Sequence, residues 1–173
     1  TCAQLIIRPD GVPMLLLQSG KEQRAVALVV DKDSHGMRLF DAEGHARLLI
    51  SAGQDGNSSI AMTSADDKVR VVLGVDDEQS GLRLYDSHEQ GRLVISVDAD
   101  EQPWITVHDA EQKRRAKLTL MRDGTALFSV NDSDGRPRAT LSAPPNGGVL
   151  IVSDERGKTR AMLCLLEQGP KLI

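Results

Sequence analysis

Seven arginines mark out one short unit that repeats along nearly the whole chain. Arg24, Arg47, Arg70, Arg92, Arg115, Arg138 and Arg160 follow one another at steps of 23, 23, 22, 23, 23 and 22 residues. Six residues before each stands Gln18, Asp41, Ser64, Asp86, Asp109, Asp132 or Asp154. Self-similarity at this period marks a repeat architecture, in which no unit buries its apolar face alone.

The fourth copy shows what one unit is. Leu82 and Leu84 alternate with Arg83 and Tyr85, Asp86 to Gly91 supply turn chemistry, and Leu93, Ile95 and Val97 resume the alternation after Arg92. Apolar residues at every second position signal a half-buried strand, and Asp and Gly favour the turn between two of them. Each unit therefore reads as a β-hairpin. Aligned on the arginines, the inward positions of the first strands are Met14/Leu16, Met37/Leu39, Ile60/Met62, Leu82/Leu84, Ile105/Val107, Phe128/Val130 and Leu150/Val152. Those of the second strands begin with Ala25/Ala27/Val29 and Leu48/Ile50/Ala52 and continue to Ala161/Leu163/Leu165. All are apolar. Asp109 to Leu118 has good helix formers behind an N-cap residue, but no apolar stripe at helical spacing, so strand, turn and strand are expected there too.

The expected fold is an all-β solenoid of seven antiparallel hairpins with little or no helix. It is expected to be a single domain, with a half-unit at 1–11, repeats at about 12–34, 35–57, 58–79, 80–102, 103–125, 126–147 and 148–168, and a half-unit at 169–173. An apolar sheet face needs a cover. The steps group as 68 residues taken twice, which suggests three hairpins per coil around a shared core; a two-sheet sandwich is the alternative.

The L-x-D-x-x-G-x-x-R-A-x-L unit resembles bacterial β-hairpin repeat proteins of unknown function. Its architecture is also similar to the hairpin repeats of choline-binding and glucan-binding cell-wall modules. Those modules grip ligands with Trp and Tyr at fixed positions, whereas this chain has one Trp, one Tyr and two Phe. The resemblance therefore implies an architecture and no ligand site.

Composition narrows the chemistry. A net charge of −4 with both signs scattered offers no basic stripe for a polyanion, so no nucleic-acid partner is expected. Ala25 to Val30, an apolar run that no other in the chain exceeds, falls far short of the ~20 residues that span a bilayer. His35, His45, His88 and His108 lie at no metal-ligand spacing, and no nucleophilic triad or glycine-rich phosphate loop is visible. Asp31-x-Asp33, Asp98-x-Asp100 and Asp132-x-Asp134 lack the further oxygen ligands of a calcium loop. No catalytic residue, metal or cofactor is expected. The arginine row invites either binding of an acidic polymer or pairing with turn carboxylates, and the excess of Asp and Glu (25) over Lys and Arg (21) favours the second.

The half-units carry the remaining expectation. Leu5 to Ile7 and Leu172-Ile173 are apolar strand segments that complement one another, and exposed edges invite pairing with another chain. Cys2, Leu5, Ile7, Cys164, Leu172 and Ile173 are the candidate assembly interface, and the chain is expected to form a homo-oligomer or polymer. A piece cut from a longer solenoid would look the same. The expected role is a non-enzymatic scaffold, read as a filament subunit outside the cell or on its surface; the alternative is a recognition module that binds a polymer or protein along its stacked turns or the arginine row.

Overall fold

The computed structural model describes residues 2–19, 24–30, 34–166 and 169–172. Every regular element among them is a β-strand. Two compact units divide between Glu89 and Gln90, inside the turn of the fourth repeat. The first holds β1 (Cys2–Ile7), β2 (Pro13–Ser19), β3 (Arg24–Val30), β4 (Ser34–Phe40), β5 (Ala46–Gly53), β6 (Ser58–Thr63), β7 (Val69–Val75) and β8 (Gln79–Tyr85). The second holds β9 (Gly91–Asp98), β10 (Pro103–His108), β11 (Arg114–Leu120), β12 (Ala126–Asn131), β13 (Pro137–Ala143), β14 (Gly148–Ser153), β15 (Thr159–Leu166) and β16 (Gly169–Leu172). Within each unit every strand pairs antiparallel with its neighbour in sequence.

The turn inside each repeat explains why the sequence punctuates as it does. In the second repeat the Asp41 N–H donates to the His45 carbonyl at 3.0 Å, and the Gly44 N–H donates back to the Asp41 carbonyl at 3.3 Å. A three-residue loop of this kind ends in a left-handed residue that forms a bulge. Gly44 fills that position with φ of 89°, and Gly135 and Gly157 do so in later repeats. Asp67, Glu89 and Gln112 adopt it without being glycine. The pairing shifts register just before the turn, between Leu39 and Phe40 and again between Val130 and Asn131. Asp109 to Lys113 forms the same turn, so the helix-forming composition there yields to the repeat.

Register then sorts the side chains. In the second unit Ile105, Leu118, Phe128, Leu141, Leu150 and Leu163 stand opposite one another in succession, a spine of large side chains across the strands. Beside it runs a row of alternating size: Val107, Ala116, Val130, Ala139, Val152, Ala161. Facing residues in an antiparallel pair share a side of the sheet, so both rows lie on one face. The other face carries Ser96, Trp104, Thr119, Leu127, Ser142, Val149 and Cys164 in a row that alternates small and large.

Burial runs against the expectation of a greasy interior. Leu141 is 53% exposed, Leu118 44% and Phe128 42%, while Ser96, Thr119 and Ser129 are buried on the opposite face. In the second unit the residues expected to line a core do share a face, but that face is open to solvent. The reason is geometric: strands of a unit touch only their sequence neighbours, so their apolar side chains gain cross-strand shelter and nothing above. Small side chains on the other face sit in the gaps between Trp104, Leu127 and their kind, and lose accessibility to them.

The first repeat departs from the alignment made on the arginines. Val26, two residues after Arg24, pairs with Leu39, whereas Leu48, one residue after Arg47, pairs with Met62. A slip of one residue turns every side chain of a strand to the opposite face. Leu15, Leu17, Val26 and Leu28 therefore share the face of Met37 and Leu39, and Met14, Leu16, Ala25, Ala27 and Val29 lie on the other. Ala27 is the most buried of the apolar core residues at 2% exposure. Residues 31–33, between β3 and β4, are outside the described residues.

Candidate functional surface

The recurring Asp and Arg build one local device. Asp41 Oδ1 accepts the N–H of Glu43 at 3.1 Å and of His45 at 2.9 Å, which closes the turn from within. Its Oδ2 is left to accept Nε of Arg47. The Arg47 guanidinium also donates to the carbonyl of Ser64, at the matching turn of the next repeat, and to Asp67 Oδ1 at 3.0 Å. One planar fork thus binds its own turn to its neighbour, a geometry lysine cannot supply.

The device recurs with local variation. Arg138 pairs with Asp132 Oδ2 at 2.8 Å and Arg160 with Asp154 Oδ2 at 2.6 Å. Arg70 and Arg92 donate to the carbonyls of Asp86 and His108. Arg115 joins Asp109 Oδ2 at 3.3 Å to the carbonyl of Asn131 at 3.2 Å. Where Ser64 replaces the usual Asp, its hydroxyl accepts from Arg70 Nε at 2.7 Å, and Asp66 supplies the carboxylate through a fork of two 3.0 Å bonds. In the first repeat Gln18 stands in that place, and its Oε1 accepts from the Cys2 thiol at 3.7 Å.

These partners set the charge of the aspartates. Partial desolvation is the largest influence on Asp41 and raises its carboxyl. The His45 N–H, the Arg47 guanidinium and the Glu43 N–H together outweigh it and hold the group below its ordinary value. At Asp132 the Arg136 N–H is the leading cause of the same downward shift, ahead of the Asp134 N–H and Arg138. Asp109 and Asp154 shift down as well: desolvation raises each, and the backbone donors of Lys113 and Lys158 lead the groups that overcome it.

Six arginines of the row, Arg47, Arg70, Arg92, Arg115, Arg138 and Arg160, are thus engaged by groups of the turns, and the side chain of Arg24 is outside the described residues. The acidic turns use their carboxylates likewise. Asp98 Oδ1 accepts the N–H groups of Asp100 and Gln102, and Asp132 Oδ1 those of Asp134 and Arg136. Asp31 and Asp33 are outside the described residues. His45 pairs with Asp67 at 2.7 Å, and His108 bonds to Thr106 Oγ1 at 3.0 Å. Among the described residues no three His, Cys, Asp or Glu side chains gather as a metal site.

The candidate assembly residues scatter. Leu5 and Ile7 lie on β1, 80% and 74% exposed, the two most exposed large apolar side chains described. Cys2 is exposed on the opposite side of that strand, since it pairs with Gln18 while Leu5 pairs with Leu15. Cys164 is buried, and it faces away from Leu163 and Leu165 beside Val149. The Leu172 backbone pairs with Leu163, its side chain and Ile173 being outside the described residues. A depression of about 900 Å³ borders Cys2 in the first unit, lined also by Leu17, Val26 and Leu39. No helix of the described residues is long and apolar enough to cross a membrane.

What sequence reading missed is the apolar face as a surface. Its signal, alternation in strands such as β8 and β12, was present, but alternation says which side chains share a face and not what lies over them. No protein-family model matches the chain, and no curated protein matches it.

Proposed function

We propose that this chain is a structural repeat scaffold, not an enzyme, and that it self-associates through its strand edges into elongated assemblies. The observation that carries this reading is β1. Among the described residues it pairs with β2 alone, and it displays Leu5 and Ile7 almost fully to solvent. A strand with one open edge and exposed apolar side chains is a template for another strand. The Asp–Arg turns support the same reading, because Arg47, Arg70, Arg92 and Arg115 are engaged in tying one repeat to the next.

Edge pairing repeated between copies extends without limit unless it closes into a ring. Electron microscopy of the purified chain tests it. Elongated particles are expected for the natural sequence, and the double variant Leu5→Lys, Ile7→Lys should abolish them, since charge on an edge strand blocks pairing. Discrete single particles of the natural chain at high concentration would refute the reading.

A further inference from the structure

We propose that the open apolar face of the second unit packs against the same face of a second copy, so that two sheets form a sandwich. The proposal deepens the self-association reading, adding a face contact to the edge contact.

Area is the first argument. Twelve large side chains on this face are exposed by between 38% and 54%, Leu150 and Leu165 being the extremes. With roughly 150–200 Å² for each such side chain when free, they leave on the order of 900 Å² of apolar surface open. The largest apolar patch of an ordinary monomer is about 300–600 Å². A standard stable interface buries about 800 Å² from each partner. The face exceeds the first figure and meets the second.

Chemistry chooses the occupant. The spine and its flanking row hold only Ala, Val, Leu, Ile and Phe at the paired positions, with no charge and no hydrogen-bonding side chain. A ligand with polar groups would find no partner there. The face is also periodic, with one ridge residue per strand at the spacing of about 4.8 Å set by strand pairing. A second copy carries the same period and the same lack of charge. The ridge of Leu118, Phe128, Leu141 and Leu150 lies next to a row made shallow by Ala116, Ala139 and Ala161. Ridge beside groove is self-complementary under a two-fold axis, in which each copy's ridge enters the other's groove. Inner faces about 10 Å apart are the ordinary result of sheet-on-sheet packing.

Sedimentation equilibrium of the full chain tests this with Leu141→Lys, and with Thr140→Lys as a control on the opposite face. In the face pairing, Leu141→Lys buries an unpaired ammonium and weakens dimerisation on the order of a hundredfold, while Thr140→Lys leaves it unchanged. Circular dichroism checks that the strands persist, and Leu141→Ala, expected to weaken the dimer about tenfold through lost apolar contact, serves if the lysine variant does not fold. A natural chain that stays monomeric at high micromolar concentration overturns the proposal. It does so whether a hydrophobic dye binds, marking a bare face, or fails to bind, marking a face covered by the chain itself. Elongated assemblies whose mass per length is the same in Leu141→Lys would overturn face pairing and leave the edge reading intact. A natural chain that stops at dimers lost in Leu141→Lys would uphold face pairing and sink the edge reading.

Discussion

The Nε of Arg138 lies 2.8 Å from Oδ2 of Asp132, a carboxylate six residues earlier, whose other oxygen caps the turn between them. One short side chain thus closes a loop through Oδ1 and anchors a guanidinium through Oδ2, and the repeat period is the distance that lets this recur.

Acid should loosen the fold through these aspartates. Their carboxyls are held below the ordinary value in the folded chain, so the stability they add is complete above the unfolded value of about 4 and is lost as pH falls through the lower, folded value. Thermal midpoints measured from neutral pH down to pH 2 should fall mainly below pH 4. Asp132→Asn should lower the midpoint at neutral pH and flatten the acid dependence. An unchanged midpoint in that variant would contradict the role given to Oδ1 and Oδ2.

The contact of Arg47 with the Ser64 carbonyl couples two repeats. Arg47→Lys keeps the charge but cannot reach Asp41 and that carbonyl together. Loss of one such bond costs about 1 kcal/mol, so chemical denaturation should show a midpoint shift of that size with little change in slope. A neutral substitution would show that the fork does not join the repeats.

Glu101 holds a left-handed conformation with φ of 60°, in a connection whose counterpart at Gly56 uses glycine. A residue with a Cβ is strained there by about 1 kcal/mol. Glu101→Gly relieves that strain and should stabilise the chain by roughly 0.5 kcal/mol after the larger entropy of unfolded glycine is counted. A measured loss of stability would contradict the turn geometry.

Asn131 is 4% exposed, and its Oδ1 has no hydrogen-bond partner, although its Nδ2 donates to the Arg114 carbonyl at 2.9 Å. At the matching place Thr63 makes the same bond with a hydroxyl, to the Ala46 carbonyl at 2.6 Å. Asn131→Thr should retain the bond and remove the orphaned oxygen, a gain of about 1 kcal/mol. A lower thermal midpoint would show that the oxygen is satisfied in solution.

Much of this was legible because it is local. The spacing from Asp41 to Arg47 and its six echoes located the turns, and alternation such as Leu82-x-Leu84 located the strands. Three matters were not legible, for definite reasons. The reversal of the first repeat depends on a one-residue offset between Val26 and Leu48 relative to their arginines, which apolar residues on both sides of β3 conceal. The openness of the face of Leu118 and Leu141 depends on what approaches it from outside the strand, and a strand's own pattern is silent on that. The reach of Arg47 to a backbone carbonyl leaves no trace either, since every residue has one.

Self-association is proposed to cover the edge and face that one copy leaves open. Light scattering of the natural chain from low micromolar to near-millimolar concentration tests it most directly. A mass that rises with concentration above that of one chain is expected. A constant mass of a single chain over that range would contradict it.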